Sequence, residues 1–122
     1  MRRVSTVTVV LLLLAASAFA GGQGKKQQVS GYLVDVMCSA ELAEKGAAAA
    51  AKHDKECLGM PDCVASGYAV LTAENKVIKF DAKGNEEAKK AIAASSKDKD
   101  FKVTVSGVVQ GDTIAVAALE LY

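Results

Sequence analysis

The residues that could do chemistry lie in one stretch of the chain. All three cysteines, the only histidine and two of the three methionines fall between positions 37 and 63, namely Met37, Cys38, His53, Cys57, Met60 and Cys63. Thiolate and imidazole are the usual ligands of Zn²⁺, while thiolate and thioether sulfur also suit Cu(I). Cysteines can instead pair as disulfides, so the stretch allows several chemistries.

A metal site is one interpretation of this stretch. Cys38, His53, Cys57 and Cys63 form a Cys₃His set of the kind that holds tetrahedral Zn²⁺, and Met60 would add a soft ligand for Cu(I). The spacing His53-x₃-Cys57-x₅-Cys63, with Cys38 distant, lacks the C-x₂-C pair of many zinc sites. Nearby, Asp35 could orient His53 through a hydrogen bond, as ligating histidines often require, or could simply end a strand.

The amino terminus bears on how the cysteines are interpreted. Residues 1–20 begin Met-Arg-Arg, continue as an apolar run and end in Ala18-Phe19-Ala20, the pattern of a secretory signal peptide cleaved after Ala20. The small residues at its end favour cleavage over a membrane anchor, so we expect no stable anchor afterwards. The strongly apolar run favours the general secretory route over twin-arginine export. The sequence therefore predicts a periplasmic or secreted protein.

Export makes a disulfide the leading interpretation, because exported proteins meet an oxidising compartment. Three pairings are open: Cys38 with Cys57, Cys38 with Cys63, and Cys57 with Cys63. A thiol redox or thiol catalytic role is a further alternative. No C-x-x-C pair supports it, although His53 and Cys57 are four residues apart and could meet on a helix.

Composition excludes other functional classes. Loss of residues 1–20 removes both arginines, which lowers the basic count from 15 to 13 against 14 acidic residues and gives a net charge of −1. Nucleic-acid binders usually carry a basic face with arginines and stacking aromatics, which this chain lacks. No carboxylate pair suggests catalysis. We therefore expect neither an enzyme nor a nucleic-acid binder, and no cofactor unless Zn or Cu is bound; the partner is unknown.

The elements that must position these residues follow from periodicity. Residues 21–28 are small and polar and predict a flexible leader, and residues 29–122 predict a single domain. Alternation and turn residues predict five strands, Val29–Val36, Tyr68–Thr72, Lys76–Asp81, Phe101–Val109 and Thr113–Tyr122. Helical patterns predict a helix capped by Ser39 and running through Gly46 to Ala51, a short helical turn from Pro61 to Ala65, and a helix from Glu86 to Ser95. Gly31 indicates a bulge or a close backbone approach.

This order predicts a mainly β, α+β domain. A helical insert lies between strands 1 and 2, and a helix lies between strands 3 and 4, as in a small five-stranded OB-like barrel. Two of the four strand connections are tight hairpins, which disfavours a parallel α/β fold. An α+β sandwich is the alternative.

Several segments resemble a family of small exported bacterial proteins of unknown function. They are Gly31–Cys38, then His53 and Cys57, then Cys63–Leu71 and Val103–Gly107, which follow that family's G-x-x-x-D-x-x-C segment, His-containing loop, two close cysteines and V-x-V-x-G strand. The resemblance covers most of residues 29–121 and implies export and an OB-like domain, but no activity. In that family the second and third cysteines are usually three residues apart, whereas here five residues separate them.

Overall fold

A computed structural model describes residues 25–122 as five strands and five helices. The predicted signal peptide, residues 1–20, and the first half of the predicted leader lie outside the described residues. The strands are β1 (Lys26–Asp35), β2 (Tyr68–Leu71), β3 (Val77–Phe80), β4 (Lys102–Gln110) and β5 (Thr113–Leu121). The helices are α1 (Val36–Lys45), α2 (Ala47–Lys52), α3 (Lys55–Leu58), α4 (Pro61–Ser66) and α5 (Ala82–Ala94).

The strands close into a barrel in the order β1-β2-β3-β5-β4, with β4 returning to pair with β1. Four of the five strand pairs are antiparallel, and only the short β3–β5 pair is parallel. Helices α1 to α4 lie between β1 and β2, and α5 lies between β3 and β4. The prediction of a five-stranded, mainly β domain is confirmed, and the sheet is a closed barrel rather than one layer of a sandwich.

Two hydrophobic clusters lie on opposite sides of β1 and β2. The barrel interior contains Phe101, Leu33, Val70 and Ile114, each at most 1% exposed. The outward side chains of the same two strands pack with the helical insert of residues 36–67 in a second cluster made of Val34, Leu42, Ala50, Ala69 and Leu71. Because both faces are covered, all four residues of β2 are buried. The insert therefore covers the outward face of β1 and β2 and extends the hydrophobic core beyond the barrel.

The amino-terminal boundaries differ from those predicted. Strand β1 begins at Lys26, whose Cα pairs with that of Val108, so residues 26–28 belong to the barrel rather than to a leader. It ends at Asp35, and α1 begins at Val36 with Asp35 as its cap in place of Ser39. Helix α5 likewise begins at Ala82, before the predicted start, because the Asp81 carboxylate caps it.

The predicted long helix of the insert is broken. Gly46 ends α1 and precedes α2 with a φ of 87°, a conformation that glycine adopts far more readily than other residues. The break turns the alanine-rich α2 back towards β1, so that Ala50 becomes buried. None of the helices within residues 25–122 is long and apolar enough to cross a membrane.

Gly31 marks the close backbone approach that the sequence indicated. A Cβ atom at this position would lie 2.1 Å from the carbonyl oxygen of Leu71, far inside van der Waals contact. The neighbouring strand therefore leaves no room for a side chain. The irregularity in strand pairing occurs elsewhere, between Ser106 and Gly107.

We predict that Gly31→Ala lowers the free energy of unfolding by about 3 kcal/mol, the upper range for overpacking, because backbone rather than a flexible side chain must move. Ser30→Ala is the control, since Ser30 is exposed and its hydroxyl only contacts that of Thr104; we expect a loss under about 1 kcal/mol. Urea unfolding followed by circular dichroism measures both. Equal stability of the two variants would contradict the tight β1–β2 contact.

Candidate functional site

Asp35 lies where β1 turns into α1, and its side chain is fully buried. Its Oδ2 atom accepts a hydrogen bond of 2.9 Å from the backbone N–H of Cys38, which is the usual contact of a helix cap. Its Oδ1 atom lies 2.6 Å from Nε2 of His53. A buried carboxylate requires such partners, so this residue fixes the positions of both groups.

Cys38 lies in the first turn of α1, three residues after Asp35. Its thiol interacts with the Asp35 carboxylate and with the thiol of Cys63. The spacing D-x-x-C accounts for the backbone contact between Asp35 and Cys38, because the N–H of the third helical residue reaches the side chain of the cap.

His53 ends α2, and its side chain is only 8% exposed. The segment that carries it is tied to the loop before β4, since Asp100 donates its N–H to Ala51 and Lys55 donates its N–H to Asp98. Immediately after it, Asp54 caps α3 by accepting from the N–H of Cys57. The chain therefore changes direction between His53 and Cys57, and the predicted meeting of these two residues on one helix is wrong.

Cys63 lies in α4, which begins with a proline at its first turn, and is 4% exposed. Two backbone contacts hold α4 against the start of α1. Met37 donates its N–H to Oγ of Ser66 at 3.1 Å, and Val36 donates its N–H to the carbonyl of Gly67 at 2.9 Å. These contacts bring Cys63 to the thiol of Cys38 and to the Asp35 carboxylate.

Together these residues form one partly buried group, here termed the Asp35 cluster: Asp35, Cys38, His53 and Cys63. One donor atom from each of Asp35, Cys38 and His53 lies within 4.8 Å of the others. The thiol of Cys63 lies outside that limit but interacts with the Cys38 thiol and the Asp35 carboxylate. Three donor groups thus converge at the end of β1 and the start of the insert, with a fourth beside them.

The electrostatics of the Asp35 cluster centre on its carboxylate. Burial acts to raise the pKa of Asp35, but the hydrogen bonds from His53 and from the N–H of Cys38 outweigh it and hold the pKa below the ordinary value. Burial and the nearby negative charge raise the pKa of Cys38 to about 12, and the same two causes raise the pKa of Cys63. Both thiols are therefore protonated at neutral pH when no cation is bound.

Two residues of the predicted metal set lie outside the Asp35 cluster. The thiol of Cys57 interacts with the carboxylate of Asp54, and Cys63 affects it only electrostatically. Met60 is 50% exposed at the start of α4, and Met37 is 62% exposed. The three cysteines, all within the described part of the chain, are free thiols, so the structure does not contain the expected disulfide.

The structure gives Asp35 a larger role than the sequence indicates. The sequence suggests a positioning residue for His53 or the end of a strand; in the structure Asp35 does both and also caps α1. The D-x-x-C spacing was the signal that could have revealed the cap. No local pattern indicated that Cys63 would lie beside Cys38.

A largely apolar surface pocket lies away from the Asp35 cluster. It has a volume of about 290 Å³ and is bordered by β1, β2 and β4 and by residues such as Tyr32, Lys102 and Tyr122. None of its lining residues belongs to the Asp35 cluster. The cluster is therefore suited to an ion or a covalent bond rather than to a substrate held in this pocket.

We predict that Asp35→Ala lowers the free energy of unfolding of the reduced, metal-free protein by about 2–4 kcal/mol. It removes a helix cap, worth about 0.5–2 kcal/mol, and the partner of a buried imidazole, worth about 1–3 kcal/mol. Asp35→Asn keeps a capping oxygen and should lose less.

Asp54→Ala provides the control for this experiment, because it removes a cap of the same kind from a partly exposed position. Urea unfolding of the three variants and the wild type measures the differences. A loss for Asp35→Ala no larger than that for Asp54→Ala would show that the buried carboxylate has no special role.

The chain matches no protein-family model, no curated protein and no solved structure. The resemblance to small exported bacterial proteins therefore stays an expectation from sequence motifs. Function has to be inferred from the geometry of the Asp35 cluster itself.

Proposed function

We propose that the protein is an exported, non-enzymatic metal-binding module, in which an OB-like barrel presents a Zn²⁺ site made by the Asp35 cluster. The observation that carries this proposal is the convergence of a carboxylate, an imidazole and a thiol within 4.8 Å, with the thiol of Cys63 beside them as the fourth donor. Bond lengths of about 2.0–2.3 Å from a central Zn²⁺ to oxygen, nitrogen and sulfur require donor atoms at this kind of separation.

The donor set favours Zn²⁺ over Cu(I). Two thiolates, one imidazole and one carboxylate are a mixed set that suits a borderline ion, whereas Cu(I) prefers sulfur alone. The thioether sulfurs that would favour copper belong to Met37 and Met60, which are largely exposed. Zinc is therefore the metal to test first.

The geometry favours a binding role over catalysis. Four protein donors would complete a tetrahedral shell and leave no open position for water or substrate, as in structural zinc sites. For thiol catalysis the imidazole should contact the sulfur, with the acid behind it. Here the Asp35 carboxylate interacts with both the Cys38 thiol and the His53 imidazole, so the acid is the partner of the sulfur where catalysis would need the imidazole. The raised pKa of Cys38 also keeps its thiolate scarce at neutral pH, which allows slow thiol–disulfide exchange but opposes the fast turnover of a thiol enzyme.

The OB-like assignment is supported by strand order. The order β1-β2-β3-β5-β4, closure of β4 onto β1, and a helix between β3 and β4 are features of that small barrel. In this chain the connection between β1 and β2 has become the helical insert that holds the Asp35 cluster. The acidic, arginine-free domain supports no nucleic-acid partner.

Export is the remaining part of the proposal, and it is supported by the sequence of residues 1–20. A periplasmic or secreted location agrees with the resemblance to small exported proteins. It also matters for the cysteines, because an exported module meets oxidants that can compete with metal for thiols.

We predict that the reduced chain beginning at Gly21 binds one Zn²⁺, and that Co²⁺ in its place gives the visible bands of tetrahedral coordination with a thiolate charge-transfer band. At free Zn²⁺ about 100-fold above Kd, the free energy of unfolding rises by about 2.7 kcal/mol. Competition with a chromophoric chelator measures the affinity.

Variants identify the ligands in the same assay. Cys38→Ser, Cys63→Ser and His53→Ala should weaken binding by more than the about 10- to 100-fold lost when only a supporting hydrogen bond is removed. Cys57→Ser and Met60→Leu are matched controls that should bind like the wild type. A reduced wild type without zinc affinity, or ligand variants that bind as tightly as the controls, would refute the proposed site.

We also predict cleavage after Ala20 when the full chain is expressed in a Gram-negative bacterium. The periplasmic fraction should then contain a protein whose first residue is Gly21, as measured by intact mass and amino-terminal sequencing. Ala18→Leu together with Ala20→Leu should block processing, because signal peptidase requires small residues there. An uncleaved wild-type chain that stays in the cytoplasm would contradict export.

A further inference from the structure

We propose that Cys38 and Cys63 form a reversible disulfide whose formation excludes the metal, so that oxidation of this pair controls occupancy of the Asp35 cluster. The inference rests on the proposed Zn²⁺ site for its regulatory consequence. The choice of the pair rests on geometry alone and can be tested without metal.

The two thiols lie beside each other. The thiol of Cys38 interacts with that of Cys63, and the Asp35 carboxylate interacts with both. Their helices are tied together by the backbone contacts between Val36 and Gly67 and between Met37 and Ser66. A disulfide of about 2.05 Å would therefore form between sulfurs that the surrounding backbone already holds side by side.

The other two pairings that the sequence left open are less favoured. Cys57 lies on α3, where its N–H is bound by the Asp54 cap and its thiol interacts with the same carboxylate. The hydrogen bonds that tie the start of α1 to the end of α4 join the elements of Cys38 and Cys63 instead. This arrangement favours one pairing and leaves Cys57 as the unpaired thiol.

Oxidation and metal binding need the same two sulfur atoms. Zinc binds anionic thiolates, and a disulfide sulfur is neutral and a poor ligand for it. After oxidation only Asp35 and His53 remain as donors in the Asp35 cluster. The two states are therefore mutually exclusive, and zinc bound to the thiols protects them.

The oxidant is a small-molecule disulfide such as oxidised glutathione. The sulfur of Cys38, the more exposed of the pair, attacks one glutathione sulfur, forms a mixed disulfide and releases one glutathione. Cys63 then attacks the Cys38 sulfur of that mixed disulfide, forms the Cys38–Cys63 bond and releases the second glutathione. Two electrons pass to the oxidant. In the metal-free protein, the two glutathione thiolates that leave take the protons of the two cysteine thiols. When the cysteines start as zinc-bound thiolates, solvent supplies these protons and the metal leaves as Zn²⁺.

The test is disulfide mapping of the chain beginning at Gly21, incubated with oxidised and reduced glutathione, with and without Zn²⁺. No lysine lies between Cys57 and Cys63, so trypsin leaves both on one peptide, and a second cleavage before Asp62 separates them. We expect the peptide containing Cys38 linked to the peptide that begins at Asp62. Free Zn²⁺ about 100-fold above Kd should lower the apparent equilibrium constant for oxidation about 100-fold, and one Zn²⁺ should be released for each disulfide formed.

Variants separate the possible outcomes. Cys57→Ser should oxidise like the wild type, whereas Cys63→Ser should stop at a mixed disulfide on Cys38; circular dichroism verifies that each variant is folded. A disulfide that involves Cys57, or no disulfide at all, would overturn this inference while the zinc site could still stand. A Cys38–Cys63 disulfide in a protein that never binds zinc would instead overturn the proposed function and the control by oxidation, and would leave only the pairing.

Discussion

The burial of one carboxylate constrains the whole candidate site. Asp35 lies between the barrel and its helical insert and is inaccessible to water. A charge in that position must be partnered, and the partners determine where α1 starts, where His53 points and which thiols come together. The local structure of the insert is therefore organised around an anion, and a cation is the natural complement of such an arrangement.

The insert and the barrel depend on each other. Helices α2, α3 and α4 have six, four and six residues, far too short to be stable alone in water. Ala50 of α2 packs with the outward face of β1 and β2, whereas Leu58 of α3 is buried with the barrel-interior cluster. The hydroxyl of Tyr68 also donates a hydrogen bond to the carbonyl of Leu58. Since β2 is covered on both faces, the insert in turn completes the barrel. The Asp35 cluster lies at this boundary and links the two parts.

The sequence predicted the strands that local patterns define. It did not predict the helix boundaries and side-chain contacts that depend on how distant parts of the insert pack together. The alternation of β4 and the hairpin loops gave the five strands because those patterns are set by neighbouring residues. The break at Gly46 and the early start of α1 at Val36 depend on where the insert docks, so periodicity could not reveal them. The contact between Cys38 and Cys63 has the same origin, since it follows from the docking of α4 against α1.

The two interpretations of the cysteines, a metal site and a disulfide, would each cross-link the insert. A modest core that also supports four short helices gains from a cross-link, and either a metal or a disulfide at Cys38 and Cys63 would join the start of the insert to its end. A metal would in addition bind His53, which ends α2 in the middle of the insert, whereas a disulfide would leave that histidine to Asp35 alone. The two cross-links therefore stabilise different extents of the insert. A protein that exchanges one for the other would keep its barrel and change mainly the segment that contains α2 and α3.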